Sequence, residues 1–540
     1  MDRIGYGSVS QFSNENDDVF LIKLQRMIDR GALISRYSRT SNPDIRDLYR
    51  KEFEKDESRG ADFYKRVFLE YGDESVAELV TAQVGLQNVT NIATKVLEEG
   101  RIGLSFIEKS SRYVRYDKKA NGRYLFASAE KIGLNRSLAE LYEDHCNALF
   151  ETYSDFYNLI REEIREEYPI GKFAFKDSSD GKQKPFGELK EESDLKIAEK
   201  SYESSVRAKA LDEIRFLLPA STLTNMGISG NGRAFISLLQ RLHHYGLPET
   251  VKLSDSLFRE LEGEFPEIID ASFSKHGQEM LDYLARKDAA SRAELDGGSS
   301  LPLVKLVSHD EELSAINRIL SLSGFSETGD LPGAMEKIES MPVGEKISLI
   351  HQLGNVRENR RHKPGRAFES TSYTFQVTTN YGAFRDFQRH RFISVIRGDL
   401  STKYGYDIPE LIYMHPDMSE RYVNMMELTK KVYKGIYNKD GPRMAQYIVP
   451  YAYRYPVAAT MNFRELTYFI ELRSTPQAHE DLRRIAVSMY NEVKKVHPDL
   501  VQVIKFLDST TYPLGRVAAE SRKEERIRNL DENMGGRNPN

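Results

Sequence analysis

Apolar and polar positions alternate over Ser372 to Thr379, with Tyr373, Phe375 and Val377 falling on one side. That period of two predicts a half-buried strand. Val76 to Val84 repeats the pattern less cleanly and is expected to be a strand too. The period then changes. Phe384 and Phe387 stand three apart in Ala383 to Gln388, and Ala478, Leu482, Ile485, Met489, Val493 and Val496 recur at three- and four-residue steps. Both spacings predict amphipathic helices, the second a long one. Leu138 to Ile160 reads as another helix, with Cys146 among its packing positions. The expected class is α+β, with small, mostly antiparallel sheets packed against long helices.

The two halves of the chain echo each other. Phe216-Leu-Leu-Pro219 is followed, twelve residues after its proline, by Asn231-Gly-Arg233 and an apolar run. Tyr447-Ile-Val-Pro450 is followed at the same distance by Asn462-Phe-Arg464 and another such run. Upstream, Glu108-Lys-Ser-Ser-Arg-Tyr113 matches Asp399-Leu-Ser-Thr-Lys-Tyr404, and Glu78 and Glu369 precede these by one interval. Four matches in the same order point to an internal duplication. The expected copies are residues 1–290 and 301–519. They are joined by a Gly/Ser-containing linker at Ala289 to Ser300, with a polar surface insertion near 170–195 in the first copy and a frayed tail over 520–540.

Composition narrows the function. Among 540 residues, 40% are hydrophobic and 29% charged, and the net charge is −5. The balance gives no general attraction to nucleic acid or to an anionic membrane, so an anion site requires a local arginine cluster. The single cysteine cannot form an internal disulfide, a paired redox motif or a thiolate zinc site, which fits a reducing cytoplasm. No metal site, secretory leader or membrane-spanning run is read in the sequence.

Three constellations carry candidate chemistry. Arg389-His390-Arg391 puts two guanidiniums beside an imidazole, suited to a phosphate or an electron-rich ring, or simply to a solvated basic helix end. Glu108-x-Ser110-x-Arg112 places a carboxylate, a hydroxyl and a guanidinium at alternate positions of an expected extended loop, where they can hold a nucleotide or form a local ion pair. Asn231/Arg233 and Asn462/Arg464 each open a helix: asparagine is a good N-cap, whereas an arginine in the first turn opposes the helix dipole and requires an anion nearby.

Taken together, these residues resemble the flavin-dependent thymidylate synthases. Asn462-Phe-Arg464-Glu-Leu-Thr-Tyr-Phe-Ile-Glu-Leu-Arg473 followed by Gln477-Ala-His-Glu carries most of the likeness, and Leu218-Pro-Ala-Ser221 leading to Asn231-Gly-Arg233 supports it. The resemblance implies methylation of deoxyuridine monophosphate (dUMP), with FAD as cofactor and NADPH and methylenetetrahydrofolate as co-substrates. It implies flavin contacts at Arg389, His390, Arg391, Asn462, Arg464, Asn231, Arg233, Ser38 and Ser75. Nucleotide contacts are implied at Glu108, Ser110, Arg112, Arg215, Arg473 and Ser401, with Arg473 and Arg389 closest to the chemistry.

The departures from the family pattern are complementary. Glu-Gly-Arg101 stands where the first copy needs Arg-His-Arg, and Lys403 and Gln446 stand where the second needs the arginines matched by Arg112 and Arg215. Arg241 misses the register of Arg473 by one residue. Because the family builds its sites between four subunits, one intact site is expected where copy meets copy, and a homodimer would then reproduce the four-subunit assembly. A degenerate, non-catalytic flavin or nucleotide binder is the alternative, as is methylation of another uracil, such as one in RNA.

Overall fold

A computed structural model of the chain describes residues 11–56, 58–66, 74–291 and 300–535. Residues 292–299 of the expected linker, residues 1–10 and residues 536–540 of the expected tail lie outside the described residues. The architecture is α+β. Nine strands, β1 (Thr81–Thr90), β2 (Leu104–Glu108), β3 (Ala174–Lys176), β4 (Gln183–Pro185), β5 (Leu223–Asn231), β6 (Val304–His309), β7 (Ser372–Asn380), β8 (Ser394–Arg397) and β9 (Arg454–Asn462), form three sheets among the described residues. Their orders are β1-β5-β2, β3-β4 and β6-β7-β9-β8, and every pairing is antiparallel.

Two of the matched positions take the same strand register. In the first sheet Asn231, the last residue of β5, pairs with Thr81, the first of β1; in the last sheet Asn462 pairs with Ser372. Each asparagine then caps the helix that follows: Asn231 Oδ1 accepts the Ala234 N–H at 2.9 Å, and Asn462 Oδ1 accepts the Glu465 N–H at 2.9 Å. Those helices are Gly232–Tyr245 and Phe463–Arg473. The strand expected at Val76–Val84 begins later. Glu74–Leu79 is a 3₁₀ turn that buries Val76 and Ala77, and only from Thr81 does the chain pair. Two neighbouring buried residues need a helical turn rather than alternation.

Contacts divide the chain into two compact units, which do not follow the two halves. Unit one comprises residues 1–109, 127–134 and 223–296, and holds the β1-β5-β2 sheet. Leu33, Val80, Phe235, Leu238, Leu242 and Ile268 lie in its core. Unit two comprises residues 110–126, 135–222 and 297–540. It contains the β6-β7-β9-β8 sheet and the long helices Ala139–Glu167, Glu192–Ile214 and Pro416–Ala445.

Inside unit two the two Leu-Pro and Val-Pro segments meet. Pro219 and Pro450 form an antiparallel bridge. Ala220 donates to Val449 O and Tyr451 donates to Leu218 O, each at 2.9 Å, while Ser221 donates to Tyr447 O and Ala452 to Phe216 O. The exchange is symmetric residue for residue about the two prolines, a local two-fold relation inside one chain.

Two stretches expected to be loose carry secondary structure. The polar insertion folds a hairpin from β3 and β4, because Asp177 accepts from Ser179 N and pairs with Lys184 at 2.6 Å, while Gly181 takes φ 73° in the turn. The C-terminal stretch forms the helix Val517–Gly535, packed along Glu192–Ile214. Lys200–Glu524 at 2.5 Å and Arg528–Asp194 at 2.9 Å pin it there. Its charged composition hid a face of paired ions.

Candidate functional site

The best-defined site lies wholly within unit two. The short helix Tyr381–Phe387 follows β7 and is capped by Asn380, whose Oδ1 accepts the Ala383 N–H at 2.8 Å. It carries Asp386, 7% exposed, and hands the chain to Arg389 and His390. Arg389 Nη1 lies 3.2 Å from Asp386 Oδ1, and Arg215 Nη1 lies 3.7 Å from Asp386 Oδ2. Arg473 Nη2 donates to the Asp386 carbonyl at 3.3 Å. Burial alone would raise the Asp386 pKa. The guanidiniums of Arg389, Arg215, Arg112 and Arg473 outweigh it and hold the carboxyl well below its ordinary value.

His390 is locked in place. Arg473 Nε donates to its Nε2 at 2.8 Å, so Nδ1 bears the proton and meets Glu465 Oε1 at 3.0 Å. Glu465 and Arg473 stand at the two ends of the helix capped by Asn462, which explains how that helix positions the imidazole.

A second buried carboxylate adjoins the first. Arg112 holds Asp212 through Nε and Nη2, both at 2.8 Å. Burial and Asp212 act on Arg112 in opposite directions, and the carboxylate prevails, raising the guanidinium's pKa. His479 Nε2 lies 4.0 Å from Asp212 Oδ1, while its Nδ1 accepts the Asp481 N–H at 3.2 Å. Burial pushes the His479 pKa far down, so the ring is neutral at physiological pH, with its proton on Nε2.

Arg112 and Asp212 line a cavity of about 530 Å³ together with Lys209, Phe216, His479 and the Ser509–Arg516 stretch. Several polar atoms in this region are buried without a hydrogen-bonding partner: Arg215 Nε and Nη2, His479 Nε2, Glu213 Oε2 and Arg516 Nη1. Buried polar groups are ordinarily satisfied, so such a concentration marks a place where a polar ligand fits.

The structure therefore brings together Arg112 and Arg215 from the first half with Arg389, His390 and Arg473 from the second. The other candidates are placed elsewhere or are already engaged. Glu108 belongs to unit one, where its fully buried carboxylate lies 3.9 Å from Lys95. Ser110 and Arg112 form a turn closed by Tyr113 N–H to Ser110 O, not an extended loop with alternate side chains aligned. Ser110 Oγ accepts the Arg112 N–H at 3.2 Å. Ser401 Oγ accepts from Lys403 N. Ser38 Oγ donates to Ser35 O at 2.7 Å, and Ser75 is exposed in the Glu74–Leu79 turn.

The first-turn arginines find their anions inside the chain. Arg233 pairs with Glu78 and Arg464 with Glu369, each at 2.8 Å. Arg391 is exposed. Arg241, despite its one-residue offset, donates to Val96 O at 2.9 Å, the carbonyl that occupies the place of Asp386 O in the other repeat. Cys146 is buried 3.8 Å from Ser221 Oγ and its thiol is pushed up to about 12, in keeping with a packing role. Sequence reasoning missed Asp212, Asp386, His479 and Arg516. Two of them had a signal: Asp386 stands three residues before Arg389, and His479 lies in the Gln477-Ala-His-Glu run that carried the family likeness without being given a role.

The family model for thymidylate synthase complementing protein matches residues 24–267 and 305–499. The chain belongs to this family, that of the flavin-dependent thymidylate synthases. Among its relatives, UPF0159 protein Ta1429 of Thermoplasma acidophilum is 52% identical over 497 residues, 92% of this chain and 99% of the relative. The UPF0159 protein of Chlamydia muridarum is 35% identical, covering 95% of this chain and 96% of its own length. The flavin-dependent thymidylate synthase of Pyrococcus abyssi is 30% identical over 32% of this chain and 71% of its own. Among solved structures, the UMP/dUMP methylase PolB of Streptomyces cacaoi bound with 5-Br dUMP matches 38% of this chain and 96% of its own, at 20% identity and a TM-score of 0.31. No helix among the described residues is long and apolar enough to cross a membrane.

Proposed function

We propose that the chain is a tandem form of the family and that unit two carries a site for a uridine-type nucleotide, at which flavin-dependent reductive methylation of dUMP takes place. One observation carries this reading: Arg112 and Arg215 from one half and Arg389 and Arg473 from the other all act on Asp386. Each half alone lacks part of this set. Arg215 offers two unpartnered N–H groups, Nε and Nη2, to an anionic oxygen or a uracil carbonyl. Burial depresses the pKa values of Arg215 and Arg473, but a guanidinium stays charged in proteins. They therefore present fixed positive charge in a dry setting, where it counts most toward charge developing on a pyrimidine ring.

The donor set also fits a flavin in part. Arg389 keeps 35% of its side chain exposed, and Arg391 and Phe392 are exposed beside it, so two guanidiniums and a ring are presented together. These would hold the cofactor, which when bound supplies hydride. His390 acts as a positioning residue, because both its nitrogens are engaged. Asn462 and Arg464 are committed to the helix cap and to Glu369, as Asn231 and Arg233 are to theirs.

A second reading rests on Asp212 and Asp386. They already neutralise the arginines, as expected of a relative that binds nucleotide or flavin without turnover. The visible spectrum of the purified protein separates the readings. Flavin bands that shift on adding dUMP, followed by tritium release from 5-tritiated dUMP, support the enzyme. Bound flavin without release supports the binder. A colourless protein that takes up neither FAD nor dUMP rules out both.

A further inference from the structure

The cavity beside the arginine cluster has one wall that the family match does not reach. Residues Ser509–Arg516 line it, and both matched segments end before them, the second at residue 499. The Val517–Gly535 helix, docked on Glu192–Ile214, anchors this wall from behind. Arg516 closes it. Its guanidinium lies over the Tyr113 ring, 4.7 Å from the centroid and one residue from Arg112, and the residue is 7% exposed. Its Nη1 is buried and has no hydrogen-bonding partner.

His479 lines the same cavity and is also buried, and its Nε2 lacks a partner too. Since Nδ1 accepts the Asp481 N–H, Nε2 is the protonated nitrogen and a donor. His479 Nε2 lies 4.0 Å from Asp212 Oδ1, and the charge of Arg516 acts on the same carboxylate, whose oxygens are taken by Arg112. The wall's other cations are engaged. Lys209 pairs with Glu213 at 2.6 Å, Arg483 donates to backbone carbonyls, and Arg484 pairs with Asp481 at 3.4 Å. Two buried donors without partners, one charged and one neutral, thus belong to residues lining a cavity of about 530 Å³, within the usual range for a small-molecule site.

We infer that Arg516 and His479 form an oxyanion subsite in this cavity, taking a phosphate or carboxylate group of a small-molecule ligand, and that the C-terminal segment outside the family match supplies its charged donor. The subsite adjoins the site proposed above, and only the identity of the whole ligand rests on that reading. A ligand oxygen would accept from Arg516 Nη1 and His479 Nε2 while Asp212 stays on Arg112. Arg516 keeps its place over Tyr113, because the face and the edge of a guanidinium act independently.

The test is a calorimetric titration of the full chain with inorganic phosphate and with citrate, which separate the two oxyanion classes, and then with dUMP. Arg516→Gln is expected to weaken binding of the preferred oxyanion at least tenfold, as is usual for loss of a charge-assisted hydrogen bond. Arg516→Lys, which retains charge but not the fork, should fall between Gln and wild type and serves as the test if the Gln variant fails to fold. His479→Gln is expected to weaken it less, by severalfold. If wild type binds neither oxyanion, or if neither Arg516 variant weakens binding by more than twofold, the subsite is overturned, whatever the protein does with dUMP. Oxyanion binding lost in Arg516→Gln together with no dUMP binding by wild type would support the subsite and sink the nucleotide reading.

Discussion

Arg112 and Asp212 meet through two parallel hydrogen bonds, both 2.8 Å, across 100 residues of chain. Arg112 also acts on Asp386, so one guanidinium serves two buried carboxylates. A buried ion pair is weak evidence of stability taken as a whole, but removing one partner leaves a bare charge and is costly.

Asp386→Asn is accordingly expected to destabilise the chain by about 3–5 kcal/mol, the usual consequence of stripping one partner from a buried pair. Added phosphate should then raise the variant's melting temperature more than that of wild type, because an external anion replaces the lost carboxylate. Urea denaturation and thermal melts check both statements, and an unchanged melting temperature would contradict the hub role of Asp386.

Arg112→Ala and Arg389→Ala should each weaken dUMP binding at least tenfold, since each removes a charge-assisted donor. Both residues lie in unit two of one chain. Mixing the two variants should therefore restore no activity. Recovery in mixed oligomers would mean that separate chains supply the two arginines.

Arg464→Ala distinguishes a structural arginine from a cofactor ligand. Its pair with Glu369 is about one-third exposed on both sides, so the stability change should stay below about 1 kcal/mol. Because Arg464 is committed to Glu369, flavin content read from the visible flavin bands is expected to hold in this variant; a fall at unchanged stability would place Arg464 on the cofactor.

Stability should fall in acid through His145. It is buried, its Nε2 lies 2.7 Å from Thr429 Oγ1, and burial pushes its pKa down to about 4. Below the unfolded value of about 6.5, only the unfolded chain takes the proton. The stabilising contribution is thus present above pH 6.5 and is lost progressively down to about pH 4, by of order 3 kcal/mol in full. Glu213 and Asp481, raised by burial, titrate with the opposite sign. The comparison should therefore be between wild type and His145→Gln, whose difference isolates the histidine. Parallel pH profiles would refute it.

The motifs were legible because they are local: a proline twelve residues before an asparagine, an arginine two residues after it. The α+β class followed from strands with clean alternation, such as β7, and from the apolar face of Glu480–Val496. Val76–Val84 misled because a 3₁₀ turn can bury adjacent residues. The carboxylates were illegible for another reason. Asp212 sits on a helix among Lys209, Glu213 and Arg215, and nothing in that run tells which charge turns inward. Arg516 fell at the very end of the expected second copy, just before the charged stretch read as a tail, and nothing in the sequence there marks it; only its packing over Tyr113 reveals an inward-facing guanidinium.

The symmetric bridge at Pro219 and Pro450 has one more consequence. Where two identical subunits meet on a two-fold axis, any substitution is written on both sides at once. Here the positions four residues before each proline belong to one chain and are free to differ. Arg215 lies beside Asp386, while Gln446 accepts the Leu400 N–H at 2.9 Å and holds a loop. Joining the halves covalently lets one flank of the axis keep a cationic contact while the other gives it up for scaffolding.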